Sequence, residues 1–452
     1  MPERRRVRVT GTVQGVGFRP FVHRSAMALG LTGFVRNDSE GVLLEAEGAP
    51  CALDELCRLL VDAPPPMARV AAVQTTVVPA LGGHSVFVIE ASTSSGAPDA
   101  AVSIDTATCD ACLAEVADPA DRRHRYPFTN CTDCGPRYTI VTGVPYDRPA
   151  TTMARFTMCR RCQAEYDDPG DRRFHAQPNA CPACGPTLQL IWADGTTAES
   201  GEDALLTAAG SLAAGQTVAV KGLGGFHLAT DATDAAAVAL LRRRKSRDDK
   251  PFAVLVADLD AARSVCDLDD AAEAALVSSG RPIVVAPRRP GSDIVAAVAP
   301  GLHDLGVMLP YTALHHLLVA EVDRPLVLTS GNVSDEPIVH TDDDAVARLG
   351  PLCDVILTHD RPIHIRCDDS VVRAGDGAAR VVRRSRGMVP EPMVLPRPAG
   401  HPLLAVGAEL KSTVAVARGR TLTVSHHIGD LEHLAAHQSF VQAIEHLCHL
   451  AG

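Results

Sequence analysis

Apolar and polar residues alternate through residues 4–90 as they do in a small domain of strands and helices. Residues 6–13 repeat with period two, which is typical of a half-buried strand, and residues 19–30 carry apolar side chains at helical spacing. The same patterns predict a hairpin, a helix and two more strands, at 31–46, 53–60, 70–78 and 86–89. The segment is therefore predicted to fold in a β-α-β-β-α-β order.

Helical and strand patterns alternate again from about residue 202 to residue 388, and this much apolar sequence suffices for one sizeable α/β domain. The predicted strands cover 217–221, 252–256, 283–286 and 326–329, and the predicted helices cover 202–214, 235–245 and 312–320. Small polar residues predict a linker at 91–104 and a second boundary at 189–201. After a proline-rich joint at 390–402, the final stretch is too short for an ordinary domain.

The chain has 452 residues, which predicts about three domains, and 46% of them are hydrophobic, as in ordinary globular proteins. No run approaches the roughly 18 apolar residues of a membrane span. The basic N-terminus also lacks the apolar core and cleavage site of a signal peptide, so we expect a cytoplasmic protein. The net charge of −11 argues against general nucleic-acid binding, which requires a surface that neutralises phosphates.

A cysteine-rich sequence unit occurs twice in the chain. Each copy has a Cys-x2-Cys pair, a spacer and a second Cys-x2-Cys pair, and both copies share an Asp-Arg-Arg triplet and a closing Gly-Pro. Two such knuckles form a tetrahedral four-sulfur shell for Zn²⁺, which leaves no open position for a substrate. The predicted ligands of two structural zinc ions are Cys109, Cys112, Cys131, Cys134, Cys159, Cys162, Cys181 and Cys184. The alternative, disulfide bonds, requires an oxidising compartment, and pairing of knuckles across the two copies stays open.

A glycine-rich loop lies between the first predicted strand and the first predicted helix. Gly15 and Gly17 allow backbone N–H groups to approach an anion at the N-terminus of a helix, and Arg19 adds a forked cation. These residues favour a phosphate site. The alternative is a glycine turn beside a solvated arginine.

The loop belongs to the sequence GTVQGVGFRPFV, which together with the later GFVRND resembles the acylphosphatase signature. Residues 4–90 also match that family in length. The resemblance implies a ferredoxin-like fold in which Arg19 binds the phosphate of an acyl phosphate and Asn37 orients the attacking water. It implies that the loop residues that bind the phosphate are Gln14, Gly15, Val16, Gly17 and Phe18. Such chemistry needs charge stabilisation and positioning more than a covalent nucleophile.

Three stretches of the later α/β segment are weak signals when taken singly, because a glycine turn, a solvated basic helix end and a polar turn explain each of them. In order, however, KGLGGFHL, RRRKSRDDKPFAVLV, LVLTSGN, CDDSVVR and RRSRG resemble the YrdC family, which adenylates a carbamate with ATP. No Walker A sequence is present. The resemblance implies that the nucleotide and carbamate are bound by Lys221, Arg244, Lys245, Arg247, Lys250, Ser330, Asn332, Arg383, Ser385 and Arg386.

Taken together, these segments and the later AVGAELKSTVAV resemble the HypF family of hydrogenase maturation carbamoyltransferases. The expected organisation is a multidomain α/β protein with a ferredoxin-like acylphosphatase domain (4–90), a two-zinc module (105–190), a YrdC-like α/β domain (200–388) and a partial ASKHA-type domain (400–452). The resemblance implies hydrolysis of carbamoyl phosphate and adenylation of the carbamate with ATP and Mg²⁺. It implies transfer of the carbamoyl group to the C-terminal cysteine of the partner HypE, as a precursor of the cyanide ligands of NiFe hydrogenase.

The family continues into an actin-like domain that carries a histidine metal site and performs the last transfer. His426 and His427 do not supply the His-x3-His pattern of that site, so we assign no metal ligand there. We expect these 452 residues alone to hydrolyse carbamoyl phosphate and to form carbamoyl-adenylate, but not to carbamoylate the partner.

Two other functions stay open. A threonylcarbamoyl-adenylate synthase of tRNA modification shares the ATP-using segment, although it has no use for an acylphosphatase module. A zinc-ribbon module that binds nucleic acid is disfavoured by the net acidity. In the preferred hypothesis, the zinc module holds the acyl phosphate site and the ATP site at a fixed distance.

Overall fold

A computed structural model of the chain describes residues 2–38, 40–65, 67–80, 86–93, 102–333, 336–375 and 377–451. Most of the predicted linker, residues 94–101, lies outside them. The strands are β1 (Glu3–Thr12), β2 (Thr32–Asp38), β3 (Gly41–Gly48), β4 (Arg69–Val78), β5 (Phe87–Ile89), β6 (Leu188–Trp192), β7 (Thr197–Ser200), β8 (Val218–Lys221), β9 (Phe226–Asp231), β10 (Ala253–Leu255), β11 (Ile283–Pro287), β12 (Asp304–Met308), β13 (Leu326–Ser330), β14 (Val355–His359), β15 (Val371–Gly375), β16 (Ala378–Arg383), β17 (Met393–Val394), β18 (Leu403–Val406), β19 (Val414–Arg418) and β20 (Thr421–Val424). The helices are α1 (Phe18–Ala28), α2 (Pro50–Asp62), α3 (Asp110–Ala117), α4 (Arg160–Asp167), α5 (Gly201–Ala213), α6 (Ala235–Arg244), α7 (Leu259–Val265), α8 (Asp270–Val277), α9 (Ala313–Val322), α10 (Asp342–Asp344) and α11 (Leu434–Ala451).

The N-terminal domain has the predicted β-α-β-β-α-β order. Its sheet has the strand order β4-β1-β3-β2-β5. The loop before α1 follows β1, which is the second strand in that order. Helices α1 and α2 bury Val22 and Leu56 in one core with Val9, Val35 and Leu44 of the strands. The period-two pattern of the sequence thus places the apolar side of this sheet against the helices.

An eleven-stranded mixed sheet forms the centre of the protein, in the order β16-β15-β11-β12-β10-β13-β9-β8-β14-β6-β7. Strand β9 is antiparallel to both β8 and β13, and β14 is parallel to β8. Strands β8, β13 and β14 therefore end at the same edge of the sheet. Lys221, Ser330 and His359 are the last residues of these three strands, so the fold gathers them at one edge.

The stretch 189–201, where the sequence predicted a boundary, contains regular secondary structure. Strands β6 and β7 occupy it, and β6 pairs with β14 along its whole length, from Leu188 opposite His359 to Trp192 opposite Val355. Strand β7 is short and polar, and it forms the edge of the sheet with one side exposed. The central sheet therefore begins directly after the last cysteine knuckle.

The cysteine-rich segment shares a hydrophobic core with the central sheet. Tyr126, Phe128 and Ile140 pack in one cluster with Leu205 of α5 and Leu318 of α9. A segment with so few large apolar residues cannot bury a core alone, and here it gains burial from its neighbour. The two units are consequently joined by a shared core.

The C-terminal segment forms a small four-stranded sheet, in the order β17-β20-β19-β18, with α11 against it. Strand β18 lies at the edge of this sheet and its apolar side chains are exposed, Leu403 by 46% and Val406 by 58%. Among the described residues, no helix combines the length and the apolar character needed to cross a membrane.

Candidate functional site

The eight cysteines of the repeat form two clusters, one in each copy. In the first cluster the Sγ atoms of Cys109 and Cys131 are 3.7 Å apart, and those of Cys134 and Cys112 are 3.4 Å apart. The matching distances in the second cluster are 3.8 and 3.6 Å. A tetrahedron with zinc–sulfur bonds of about 2.3 Å has edges of about 3.8 Å, whereas a disulfide is about 2.05 Å long. The clusters are therefore compatible with two zinc ions, and the knuckles pair within each copy.

Each copy also supplies arginines to the cluster of the other copy. Arg122 Nη2 donates to Cys162 Sγ at 3.3 Å, and Arg172 Nη1 donates to Cys112 Sγ at 3.0 Å. The next arginine of each triplet is buried and pairs with a glutamate of the opposite copy: Arg123 with Glu165, and Arg173 with Glu115. Four thiolates around one Zn²⁺ carry net negative charge, so this reciprocal brace neutralises each cluster with cations from its twin.

The predicted anion loop has the backbone of an anion-binding nest. Gly15 and Gly17 both adopt left-handed φ angles, +71° and +72°, directly before α1. No hydrogen bond from the N–H groups of Gly15, Val16 or Gly17 reaches another described residue. A Cβ at Gly15 would lie 2.9 Å from the ring of Tyr146, so close approach adds a second requirement for glycine there.

Arg19 and Asn37 meet beside this loop. With its amide oxygen turned toward Arg19, Asn37 accepts hydrogen bonds from Arg19 Nε and Nη2 at 3.2 and 3.3 Å. The guanidinium also donates to Ser92 Oγ at 3.2 Å and to Asp147 Oδ1 at 2.9 Å. The sequence predicted the first pair, but Asp147 belongs to the cysteine-rich segment and was not predicted. Arg19 is therefore shared between its own domain and its neighbour.

The cysteine-rich segment closes the pocket above the loop. Thr132, Tyr146 and His175 line it opposite Gly17 and Arg19. Burial and the charge of Arg19 lower the pKa of His175 to about 4, so this imidazole is neutral at physiological pH. The pocket is thus a chamber between two domains rather than an open surface loop.

Arg137 ties the first cysteine knuckle to the anion loop. Its Nε donates to the carbonyl of Gly15 at 2.7 Å, and its other nitrogens donate to the carbonyls of Cys131, Thr132 and Cys134. Its backbone N–H donates to Asp105 Oδ1 at 2.7 Å, and Asp105 is completely buried. The geometry of the loop consequently depends on the geometry of the knuckle.

A second pocket lies on the other side of the same knuckle. Gly135 and Pro136 line this second pocket, whereas the next residue, Arg137, lines the first. The opposite wall carries Lys221, Arg361 and other residues at the edge of the central sheet. Residues 135–137, the partition, therefore contribute to the walls of both pockets.

The second pocket is electropositive. Burial lowers the pKa of Lys221 although Asp342 accepts a hydrogen bond from its Nζ at 2.8 Å. Burial also lowers the pKa of Arg361 to about 10. Buried cations are costly unless they are paired. Lys221 has its partner in Asp342, whereas Arg361 forms no ion pair with another described residue, so a bound anion would supply a partner for Arg361.

A larger cleft of about 650 Å³ crosses the face of the sheet nearby, and it is lined by Arg247, Ser330 and Asp369 among others. Lys245 is buried beneath it and donates to the carbonyls of Ser330 and Asn332 at 2.7 and 2.6 Å. Ser330 Oγ donates to Asn332 Oδ1 at 2.9 Å. This segment is thereby fixed by a buried cation rather than left as a mobile turn.

Asp369 is the centre of a buried ion network at the wall between pocket and cleft. Its carboxylate accepts from Arg386 Nε at 2.6 Å and contacts His227 Nε2 at 2.9 Å. Burial raises the pKa of Asp369, but Arg386 and His227 lower it by more, so the net shift is well below the usual range. The Arg386 guanidinium in turn lies 3.4 Å from the ring centroid of Tyr311.

The predicted nucleotide-binding residues do not all reach the cleft. Arg244 pairs with Asp354 at 2.7 Å and is absent from the lining of the pockets described above. Ser385 and Arg386 are 0% and 1% exposed, so they support the wall from inside, and Arg383 donates to the carbonyl of Asp369 at 2.9 Å. Lys250 is exposed at the end of the basic run. The structure brings together Lys221, Lys245, Arg247, Ser330 and Asn332 around the end of the sheet.

Asp147, Arg137, Arg361 and Asp369 were missed as site residues. Asp369 lies in the CDDSVVR stretch that resembles the YrdC family. The two adjacent aspartates of that stretch, Asp368 and Asp369, were an available signal for a site residue. Arg137 follows only the first Gly-Pro of the repeat, since threonine occupies the same place in the second copy. That difference between two otherwise similar copies was the signal for an additional role.

Four family descriptions match the chain in succession. Residues 5–89 match the acylphosphatase family, and residues 108–141 and 158–191 match the HypF finger. Residues 211–385 match the family described as telomere recombination, which groups Sua5, YciO and YrdC. Residues 398–452 match the HypF Kae1-like domain.

Similar proteins extend over almost the whole chain. The carbamoyltransferase HypF2 of Cupriavidus necator is 49% identical over 98% of this chain, and the carbamoyltransferase HypF of Rhizobium leguminosarum bv. viciae is 46% identical over 99%. A crystal structure of full-length HypF in the phosphate- and nucleotide-bound form matches the entire chain with a TM-score of 0.95 at 42% identity, and 59% of that chain is covered. The chain spans 57% of the length of both curated relatives.

Proposed function

Because the chain belongs to the HypF family of carbamoyltransferases, we propose that it hydrolyses carbamoyl phosphate beside Arg19 and adenylates the resulting carbamate with ATP at the edge of its central sheet. One observation carries this proposal. The chamber around Arg19 and the electropositive pocket around Lys221 both have residues of the partition, 135–137, in their walls. The two proposed sites are thus neighbours, which supports transfer of the product of the first site to the second.

In the proposed first step, the phosphate of carbamoyl phosphate binds to the N–H groups of residues 14–18 and to the Arg19 guanidinium. The Asn37 side chain orients the attacking water, which forms a bond to phosphorus as the bond to the carbamate oxygen breaks. Inorganic phosphate and carbamate are the products. Fixed donors aimed at the developing charge supply most of the stabilisation in such sites, and the left-handed glycines supply them here.

In the proposed second step, a carbamate oxygen attacks the α-phosphorus of ATP and pyrophosphate leaves, which gives carbamoyl-adenylate. Lys221, Lys245 and Arg247 stabilise charge on the nucleotide and the leaving group, and Mg²⁺ accompanies the triphosphate. Lys250 and Arg383 lie farther out as additional cations, while Arg244, Ser385 and Arg386 act as supports. The related full-length HypF structure was solved in a phosphate- and nucleotide-bound form, which is in keeping with this step.

Carbamate is unstable in water, and this instability is a reason for joining the two sites in one chain. An enclosed path shortens its exposure to solvent. We propose that Zn²⁺ occupies both cysteine clusters and sets the position of the partition, and that the carbamoyl group finally passes to the C-terminal cysteine of HypE, as the family resemblance implies.

The assignment of the first site predicts that Arg19→Ala lowers phosphate release from carbamoyl phosphate on the order of 100-fold, because the main cation of the pocket is lost. Phosphate and pyrophosphate are followed separately with carbamoyl phosphate and ATP present, and pyrophosphate release falls in step because carbamate is no longer supplied. Arg58→Ala is the matched control, since Arg58 is an exposed, ion-paired arginine on α2 of the same domain. Unchanged phosphate release in Arg19→Ala would refute the assignment.

The assignment of the second site predicts that Ser330→Ala separates the two activities, which fall together in Arg19→Ala. The variant removes a hydroxyl that lines the cleft and orders Asn332, so pyrophosphate release is expected to fall about tenfold, as after loss of one hydrogen bond to the reacting ligand. Phosphate release stays at the wild-type rate. Ser264→Ala, on the exposed surface of the same domain, serves as control. A parallel fall in phosphate release would count against two distinct sites.

A further inference from the structure

The first site contains a carboxylate from outside its own domain. Asp147 Oδ1 lies 2.9 Å from Arg19 Nη2, and the Asp147 side chain is 27% exposed whereas that of Arg19 is 8% exposed. Its second oxygen, Oδ2, accepts no hydrogen bond from any described residue. A free carboxylate oxygen thus stands beside the arginine that faces the anion loop.

The shape of the chamber determines which end of a substrate faces this carboxylate. The free N–H groups of residues 15–17 mark one wall as the place for the phosphate. The opposite wall belongs to the cysteine-rich segment, with Tyr146 and His175. Asp147 follows Tyr146 in the chain and contacts Arg19 from this side, next to the residues that line the pocket, so its free oxygen lies on the side where the acyl end of a phosphate-bound substrate would point.

We propose that Asp147 accepts a hydrogen bond from the amino group of the acyl end and so selects carbamoyl phosphate over acyl phosphates that carry a methyl group. The inference rests on the proposed hydrolysis at Arg19 and adds the specificity of that site. An ionised carboxylate is an acceptor only, and a carbamoyl amino group is a donor that an acetyl group lacks.

The surroundings of Asp147 fit this role. His175 is neutral and so does not compete with the substrate as a charged donor. Arg19 is the ion-pair partner of the carboxylate among the described residues, and it bridges Asp147 to the phosphate position. A methyl group in place of the amino group would desolvate the free oxygen without a partner, which is the costly situation that rejects an analogue.

The test compares the hydrolysis of carbamoyl phosphate and acetyl phosphate by the full chain, with phosphate release as the readout. For Asp147→Ala, kcat/KM for carbamoyl phosphate is expected to fall about tenfold or more, while kcat/KM for acetyl phosphate stays unchanged or rises. Asp147→Asn retains an acceptor oxygen and is expected to keep most of the preference. Asp167→Ala is the charge control, because Asp167 is an acid of the same segment that acts on His175 through its charge without contacting Arg19.

Equal loss with both substrates in Asp147→Ala would overturn the inference, since it would show that the ion pair only fastens the two domains together. Equal kcat/KM for the two substrates in the wild type would overturn it as well, while the proposed hydrolysis would stand. If the wild type hydrolyses neither substrate, the proposed function falls and the inference falls with it. Thermal melting of each variant separates loss of folding from loss of selection, and Asp147→Asn preserves shape if the alanine variant melts early.

Discussion

Replacing Cys131 with serine is expected to lower the zinc content of the purified chain from two ions to one and to disable phosphate release from carbamoyl phosphate. Cys131 Sγ lies 3.7 Å from that of Cys109 and 3.8 Å from that of Cys134, within the first four-sulfur shell. Structural zinc contributes on the order of 10–16 kcal/mol to folding in small modules. Since the segment has little core of its own, loss of the ion unfolds the knuckle.

The effect reaches the first site through Arg137. Its side chain joins the carbonyl of Cys131 to the carbonyl of Gly15 in the anion loop. Zinc is measured by metal analysis of the purified protein, and phosphate release is measured beside it. Cys181→Ser is the matched control, because it also removes a thiolate but belongs to the second cluster, which holds no residue equivalent to Arg137. Two zinc ions in Cys131→Ser, or equal phosphatase loss in both variants, would contradict this account.

Asp369→Asn is expected to destabilise the central domain by about 3–5 kcal/mol, because it leaves the buried Arg386 cation without its counter-ion. The substitution keeps the volume of the side chain, so the effect reports the charge rather than a cavity. Chemical denaturation followed by tryptophan fluorescence measures it, since the single tryptophan, Trp192, lies on β6 of the same sheet. Asp260→Asn breaks an exposed pair with Arg263 and is expected to cost no more than about 1 kcal/mol.

The ion network around Asp369 also makes the stability of the protein depend on pH. The pKa of Asp369 is lower in the folded than in the unfolded chain, because the attraction of Arg386 and His227 exceeds the opposing effect of burial. Its contribution to stability is therefore complete above the unfolded pKa of about 4 and is lost as the pH falls below it. Wild-type protein should lose stability between neutral pH and pH of about 3 more steeply than Asp369→Asn. Parallel curves for the two proteins would show that Asp369 is not the responsible group.

Local sequence was sufficient for the parts of the site that lie close together in the chain. The glycine loop, Arg19 and the first strand–helix pair follow from one continuous stretch, and the four cysteine knuckles follow from their spacing, although that spacing left open which knuckles share an ion. Asp147 could not be found in this way, because it is 128 residues from its partner Arg19. Contacts between residues so far apart in the sequence depend on how the domains pack against each other. The periodicity of apolar residues carries no information about that packing.

The sequence also did not predict the directions in which neighbouring side chains point. Arg244 and Lys245 are adjacent in one basic run, yet Arg244 pairs with Asp354 while Lys245 reaches the Ser330 carbonyl. Successive residues at the end of a helix point about 100° apart, so only one of them can face the cleft. The edge strand β7 was missed for another reason, since its polar residues, Thr197–Ser200, lack the apolar alternation that identifies a strand.

The reciprocal brace between the two cysteine clusters makes each copy of the repeat dependent on the other. A single copy would lack the arginine that its twin donates to its thiolates, Arg122 or Arg172. Each copy therefore serves as the counter-ion of the other. Removing or exchanging one copy would leave the remaining cluster with unbalanced charge, so the two copies form one structural unit.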